Sequence, residues 1–351
     1  MATTWAANSP SISEGFDSWL MSRPERTEVR IPSGTHLTRG YWTSATAFKE
    51  GWNIRGEGMG NTILKLVEVR KGANTVLRAD RKQRVSITDL TIDCNGRAFE
   101  DATTAGLEFF QCGFVTVERV EILNAVGKRK LAGTSPEAWG IWSDAKRTII
   151  RDCVFRSFLG GSCTAFAKGG ATLGNGEITG CLVDFDGSDW INGQFGLSAM
   201  ITSSFTISGN TVINATRGYN HDTGGGRNLV IRDNHFLGYY WGLFVGGGVN
   251  GQVIGNLFEP ARAGCTAIMF DSSPDVPGAR DWLVRNNTFV NPQQLQNVWA
   301  FRNRNNTTVE GLFIEENRMD PGFERGGMGS DSAKRWNENR TLKTDRNVSE
   351  P

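Results

Sequence analysis

Residues 231–260 read IRDNHFLGYYWGLFVGGGVNGQVIGNLFEP. Asn234 and Asn256 each stand two residues before a phenylalanine, Phe236 and Phe258, so one short phrase is written twice, 22 residues apart. Between the copies runs an apolar stretch flanked by glycines. The phrase continues in both directions: VSITDLTI (85–92), VTVERVEI (115–122), IIRDCVF (149–155), EITGCLV (177–183), TISGNTV (206–212), VIRDNHF (230–236), QVIGNLF (252–258), LVRNNTF (283–289) and FIEENRM (313–319). They align on one column, Leu90, Val120, Cys153, Cys181, Asn210, Asn234, Asn256, Asn287 and Asn317, with steps of 22 to 33 residues. Self-similarity at such a period signals a repeat architecture.

Each repeat holds short alternating runs of Val, Ile, Thr and Phe broken by Gly, Asn and Asp, which are strands and turns. No repeat has room for an amphipathic helix, and a four-stranded propeller blade needs more than the shortest step. The pattern predicts an all-β fold, a parallel β-helix whose coils stack on one another. At the aligned column a turn favours a residue that tolerates left-handed backbone and bonds locally. Five successive Asn should also bond along the stack as a ladder. Cys153 and Cys181 suggest a dry, inward version of the same corner.

The charge is nearly balanced, with Lys+Arg 38, Asp+Glu 37 and a net charge of +1, which is not the footprint of a nucleic-acid binder. No run of 18 apolar residues marks a membrane span and the first residues show no secretory leader, so neither partner is expected. The six cysteines are widely and irregularly spaced and only three histidines occur, which speaks against zinc. The thiols read as small buried hydrophobes.

TEVRIPSGTHL (27–37) followed by NIRGEGMGNTILKL (53–66) adds a second signature. These stretches resemble the opening of right-handed β-helices of the pectate-lyase-like superfamily, which commonly begin with a strand ending in Ile-Pro-x-Gly, then a coil reading Ile-x-Gly-x-Gly and Thr-x-Ile. The resemblance covers roughly residues 27–320. It implies a single-stranded right-handed solenoid of about nine to eleven coils and, for function, a carbohydrate-active lyase, hydrolase or tailspike-like protein, secreted or virion-associated and monomeric or trimeric. The active-site strings of polygalacturonases (Asn-Thr-Asp, Asp-Asp, His-Gly, Arg-Ile-Lys) do not occur. Ahead of the solenoid, residues 9–24 read as a short helix with Ile12, Phe16, Trp19 and Leu20 on one face, an N-terminal cap for the exposed edge. The expected division is a capping segment over 1–26, the β-helix over 27–325 and a polar tail over 326–351.

A second strand precedes the aligned column in each coil: GLEFF (106–110), GIWSD (140–144), TAFAK (164–168), GLSAM (196–200), GYNHD (218–222), GLFVG (242–246), AIMFD (267–271) and AFRNR (300–304). Successive strand residues face opposite sides. The second and fourth positions are mostly apolar and should face the core, among them Tyr219 and His221. The third and fifth should face solvent: Glu108, Phe110, Trp142, Asp144, Phe166, Lys168, Ser198, Met200, Asn220, Asp222, Phe244, Gly246, Met269, Asp271, Arg302 and Arg304. Aromatic and charged groups mixed on one face suit a sugar, apolar on its C–H face and polar at its rim. A covering loop from 125–138 or 272–281 would instead make the face a second small core.

Spacing then tests chemistry. Asp222 and Asp271 lie two coils apart, roughly 9–10 Å at about 4.8 Å per coil, near the window of about 6.5–9.5 Å for an inverting glycosidase's acid and base. Asp144, three coils from Asp222, is too far for that pair. The leading expectation is hydrolysis of an acidic glycan, with Arg302 and Arg304 on the acidic group, Trp142, Phe166 and Phe244 under sugar rings, and Asn220, Glu108 and Met269 lining the face. The runner-up is β-elimination from a uronate, with Lys168, His221, Arg302 and Arg304 as candidate cations and bases. A non-catalytic glycan-binding fibre and a small-molecule isomerase or cyclase are further alternatives. No cofactor is required. The acidic run VDFDGSDW (183–190) offers oxygen ligands for calcium but reads first as a turn.

Overall fold

The computed structural model describes residues 2–4, 13–41, 48–69, 72–99, 102–127, 138–158, 162–168, 174–185, 194–200, 202–221, 226–271, 279–303, 311–324 and 348–349. The chain is a parallel β-solenoid of about eight turns, fewer than the nine to eleven expected, with very little helix. It divides into two compact units, one holding residues 1–174, 181–186 and 191–194, the other 175–180, 187–190 and 195–351.

In the first unit the strands Glu28–Arg30, Asn53–Arg55, Arg84–Asp93, Phe114–Leu123 and Arg147–Arg151 pair in parallel. Their register stacks Val29, Ile54, Ile87, Val117 and Ile150 into one fully buried column. Burying such side chains stabilises the stack by about 1.5–3 kcal/mol each. A second sheet of the unit joins Gly72–Asp80, Ala102–Phe110, Ala138–Ser143 and Ser162–Lys168. The predicted N-terminal helix spans Ser13–Met21. It buries Phe16 and Leu20, stacks Phe16 on His36 at 5.6 Å between ring centroids, and receives at Asp17 the Thr38 hydroxyl (2.6 Å) and the Arg39 amide (3.0 Å). Ile12 lies outside the described residues, as does the tail apart from Val348–Ser349.

The second unit repeats the scheme. Ile207, Ile231, Val253, Val284 and Ile314 form one core column, and Val212, Phe236, Phe258, Phe289 and Met319 the next. The duplicated phenylalanines are therefore rungs of one aromatic stack, with Phe236 and Phe258 at 5.3 Å and Phe258 and Phe289 at 5.1 Å. The expected Asn ladder is present. Each amide oxygen of Asn234, Asn256, Asn287 and Asn317 accepts two bonds from the preceding Asn, one from its backbone N–H and one from its Nδ2, at 2.8–3.0 Å. The second Nδ2 proton of each goes to a core-strand carbonyl, such as Asn256 to Ile231 O at 2.9 Å. All five Asn are buried.

One detail of the turn differs from expectation. The left-handed residue is not the column member but the residue before it: Asp89, Arg119, Asp152, Gly180, Gly209, Asp233, Gly255, Asn286 and Glu316, with φ from 51° to 67°. That kink turns the next side chain inward, which is why the column reads Leu, Val, Cys or Asn and never a large charged group. The five described cysteines other than Cys163 are buried free thiols. Burial pushes the Cys112 and Cys265 thiols up to about 11.

Candidate functional site

In the second unit the strands Arg217–His221, Trp241–Val245, Thr266–Phe270 and Val298–Asn303 stack in parallel, together with the strand Gln194–Met200 from Phe195 onward. Leu197, Tyr219, Leu243, Ile268 and Phe301 face the core, as alternation predicts. The alternation breaks one residue earlier. A Cβ on Gly218 would lie 2.5 Å from Phe236 Cδ1 and 2.6 Å from Gly242 O, so this position also points inward and has no space for a side chain. Gly196 and Gly242 meet the same limits, 2.4 Å from Gly218 O and 2.6 Å from Ala267 O. Two consecutive inward residues are a bulge. The residue before each glycine is thereby turned to the outward face.

That bulge builds a wall which strict alternation misses. Phe195, Arg217, Trp241, Thr266 and Trp299 form one outward column. Ser198, Asn220, Phe244, Met269 and Arg302 form the next. The Arg217 guanidinium lies 4.8 Å from the Phe195 ring centroid, 4.9 Å from Trp241 and 3.8 Å from Phe244. It also donates to Asn220 Oδ1. Trp241 stacks on Phe244 at 5.1 Å, and Arg302 stands 4.6 Å over Trp299. Cation–π contacts of this kind are worth about 0.5–2 kcal/mol and hold a guanidinium in one orientation. Phe195, Arg217, Trp241, Trp299 and Arg302 are half-buried, so solvent reaches the wall. The signal for these residues was the recurring glycine that opens the strands.

The remaining candidates fall as follows. Phe244, Met269 and Asn220, expected at the solvent face, are 3%, 2% and 1% exposed. This corrects the expectation: they face outward but lie in a covered layer, Phe244 beneath Arg217 and Trp241. Asp271 ends the strand Thr266–Phe270, is 8% exposed, and donates its N–H to Val245 O at 2.9 Å. Asp222 and Arg304 lie outside the described residues; the position before Asp222, His221, is two rungs from Phe270, the position before Asp271. His221 is buried on the core side. Its Nδ1 lies 2.8 Å from Ala199 O, a carbonyl that also accepts from the Tyr219 hydroxyl at 3.1 Å. It is a core histidine and does not face the wall.

In the first unit the corresponding outward residues are Arg78, Glu108 and Trp142. Glu108 accepts from Arg78 at 3.3 Å and from the Thr75 hydroxyl at 3.2 Å, so its carboxylate is committed to a neighbour. Asp144 Oδ1 accepts the Gln111 backbone N–H at 2.9 Å, a turn-forming role. Trp142 is half-buried and stacks on Phe110 at 6.1 Å. Phe166 and Lys168 lie on the strand Ser162–Lys168, and their side chains are outside the described part, as are residues 186–190 of the acidic run. Among the described residues no group of three or more His, Cys, Asp or Glu could hold a metal ion, and no helix is long and apolar enough to cross a membrane.

No protein-family model matches the sequence, and no curated protein matches it. Solved structures do match. The A-module of a mannuronan C-5 epimerase from Azotobacter vinelandii aligns with a TM-score of 0.59 at 16% identity, over 97% of this chain and 94% of that one. A mutant tailspike protein of E. coli bacteriophage HK620, in complex with a pentasaccharide, gives 0.69 at 14% identity, and the match spans 96% of this chain but 62% of the tailspike. An alginate lyase from Paenibacillus gives 0.53 at 12% identity, over 94% and 99%. At these identities the likeness carries the fold alone, a right-handed parallel β-helix.

Proposed function

We propose that this β-helix is a carbohydrate-active enzyme that binds an acidic polysaccharide along the outward wall of its second unit and cleaves it there. The observation that carries the reading is Arg217 held among Phe195, Trp241 and Phe244, with Trp299 and Arg302 together three rungs along. Half-buried aromatic faces take the C–H side of a sugar ring. A planar guanidinium beside them takes a carboxylate through two parallel hydrogen bonds. The named neighbours include a protein with a bound pentasaccharide and enzymes of mannuronan and alginate, all on this fold.

The cleavage chemistry we favour is inverting hydrolysis. Asp271 at the end of the wall and Asp222 would serve as the acid–base pair, one protonating the leaving oxygen and the other activating water. The guanidiniums of Arg217 and Arg302 support a second reading, β-elimination, because neutralising a uronate carboxylate acidifies the proton beside it.

Incubation with a panel of uronate polysaccharides tests both. New reducing ends without ultraviolet absorbance report hydrolysis, and loss of that activity in Asp271→Asn supports the pair. Reducing ends accompanied by the absorbance of an unsaturated uronate report elimination. Binding without any new end, in wild type and Asp271→Asn alike, overturns the enzyme reading in favour of a glycan-binding protein.

A further inference from the structure

The first unit carries a hollow of about 470 Å³ on the outward side of its other sheet, away from the Arg78–Glu108 row. Its floor is a row of small polar side chains on successive rungs, Asn53, Ser86 and Thr116. Beside that row runs a second one, Arg84, Phe114 and Arg147, in which the Arg147 guanidinium stands 5.5 Å over the Phe114 ring. Arg26 closes the opposite rim.

Two features show that the rim is built. Arg26 adopts left-handed backbone (φ 53°), a conformation costly for a residue with a Cβ, and its N–H is tied to Glu50 O at 2.6 Å. Gly51, also left-handed (φ 67°), lies directly beneath it: a Cβ there would fall 2.9 Å from Arg26 Cγ. The local chain is thus arranged to seat the Arg26 side chain. Among the described residues neither Arg26 nor Arg84 has an ion-pair partner, whereas Arg30, Arg55, Arg78 and Arg119 of the same unit each have one. The carboxylate of the hollow, Glu50, uses one oxygen to accept the Gln83 backbone N–H at 2.7 Å.

We propose that this hollow is a second carbohydrate site, which takes an acidic sugar. The sugar's carboxylate meets Arg26 and Arg84, its hydroxyls meet Asn53, Ser86, Thr116 and the second oxygen of Glu50, and its C–H face lies against Phe114. The volume falls in the range of about 300–1,000 Å³ typical of small-ligand sites. Two donors of charge give attraction, and the hydroxyl-bearing floor distinguishes a sugar from a bare anion. The site stands on its own residues and does not depend on the reading of the second unit's wall.

The test uses the full chain carrying Arg217→Ala, which disables that wall, and a galacturonate trisaccharide as probe, followed by calorimetry or ligand-observed NMR. Binding should persist in Arg217→Ala. Adding Arg84→Ala should weaken it by about tenfold or more, as expected for loss of a charge-assisted bond; Arg84→Lys should lie between, and Thr116→Val should weaken it less. Arg84 is exposed, so an unchanged unfolding midpoint will confirm that the variant folds. Absence of binding in Arg217→Ala, or equal binding with and without Arg84, overturns the proposal and leaves the wall reading intact. Displacement of the trisaccharide by an equal concentration of inorganic phosphate also overturns it, since the hollow would then hold any anion.

Discussion

After each left-handed turn residue the first unit places Leu90, Val120, Cys153 and Cys181, whereas the second places Asn210, Asn234, Asn256, Asn287 and Asn317. The backbone problem is the same in both: an inward corner with core-strand carbonyls nearby. Cys153 meets it weakly, its thiol lying 3.2 Å from Arg151 O and 3.6 Å from Val117 O. Asn256 meets it fully, bonding Ile231 O, Ile254 O and both neighbouring Asn. A Leu or Val corner stands by burial alone, and the Cys corner adds only a weak thiol contact between Cys153 and Cys181. A polar corner is satisfied only while its neighbours are present, so it behaves as one cooperative chain. The outward walls differ in a parallel way. Glu108 of the first unit is occupied by Arg78, while Arg217 of the second is presented on aromatic faces and an amide.

The largest expected effect breaks the ladder. Asn256→Ala removes a side chain that both gives and receives, and leaves buried groups on Asn234, Asn287 and Ile231 short of partners. Destabilisation of about 3 kcal/mol is expected in denaturant titration. Cys153→Ala, at the equivalent corner, should cost about 1 kcal/mol. Equal costs would mean that the two corners work alike.

Gly218→Ala probes the bulge that sets up the wall. Its methyl group cannot be placed without displacing Phe236 or the next strand, so a loss of about 2–3 kcal/mol is expected. Glycan affinity should fall with it, because Arg217 and Asn220 flank that residue. A stable variant with unchanged affinity would remove the bulge from the account.

The smallest effect is electrostatic and confined to the first unit. The Arg119 guanidinium, 2.6 Å away, holds the Asp89 carboxyl below its usual range. A depressed carboxylate stabilises the fold above its unfolded value and loses that contribution as pH falls through the folded value. Stability should therefore decline as pH falls below about 4, by less than about 1 kcal/mol because Arg119 is well exposed. Asp89→Asn should flatten that part of the pH profile, measured as the unfolding midpoint.

The stacked columns were legible because a solenoid places each rung's neighbour at one repeat distance in sequence. The Asn ladder, the Phe236–Phe258 stack, the inward Tyr219 and His221 and the helix over Phe16 and Leu20 all follow from that spacing. The wall was only half legible. Period-two reading began each strand at its glycine, and so left out Phe195, Arg217 and Trp241, which the bulge turns outward. The cover over Phe244 depends on where the long Arg217 and Trp241 side chains lie, which alternation does not encode. The neutralisation of Glu108 depends on Arg78, 30 residues earlier, in a strand whose phrase does not match the others.

Binding of a uronate oligosaccharide to the wild-type chain, to Arg217→Ala and to Arg78→Ala tests the central claim most directly. Calorimetry resolving two classes of site should show the second unit's class weakened by about tenfold or more in Arg217→Ala and unchanged in Arg78→Ala. Unaltered binding in Arg217→Ala, or an equal loss in both variants, would contradict it.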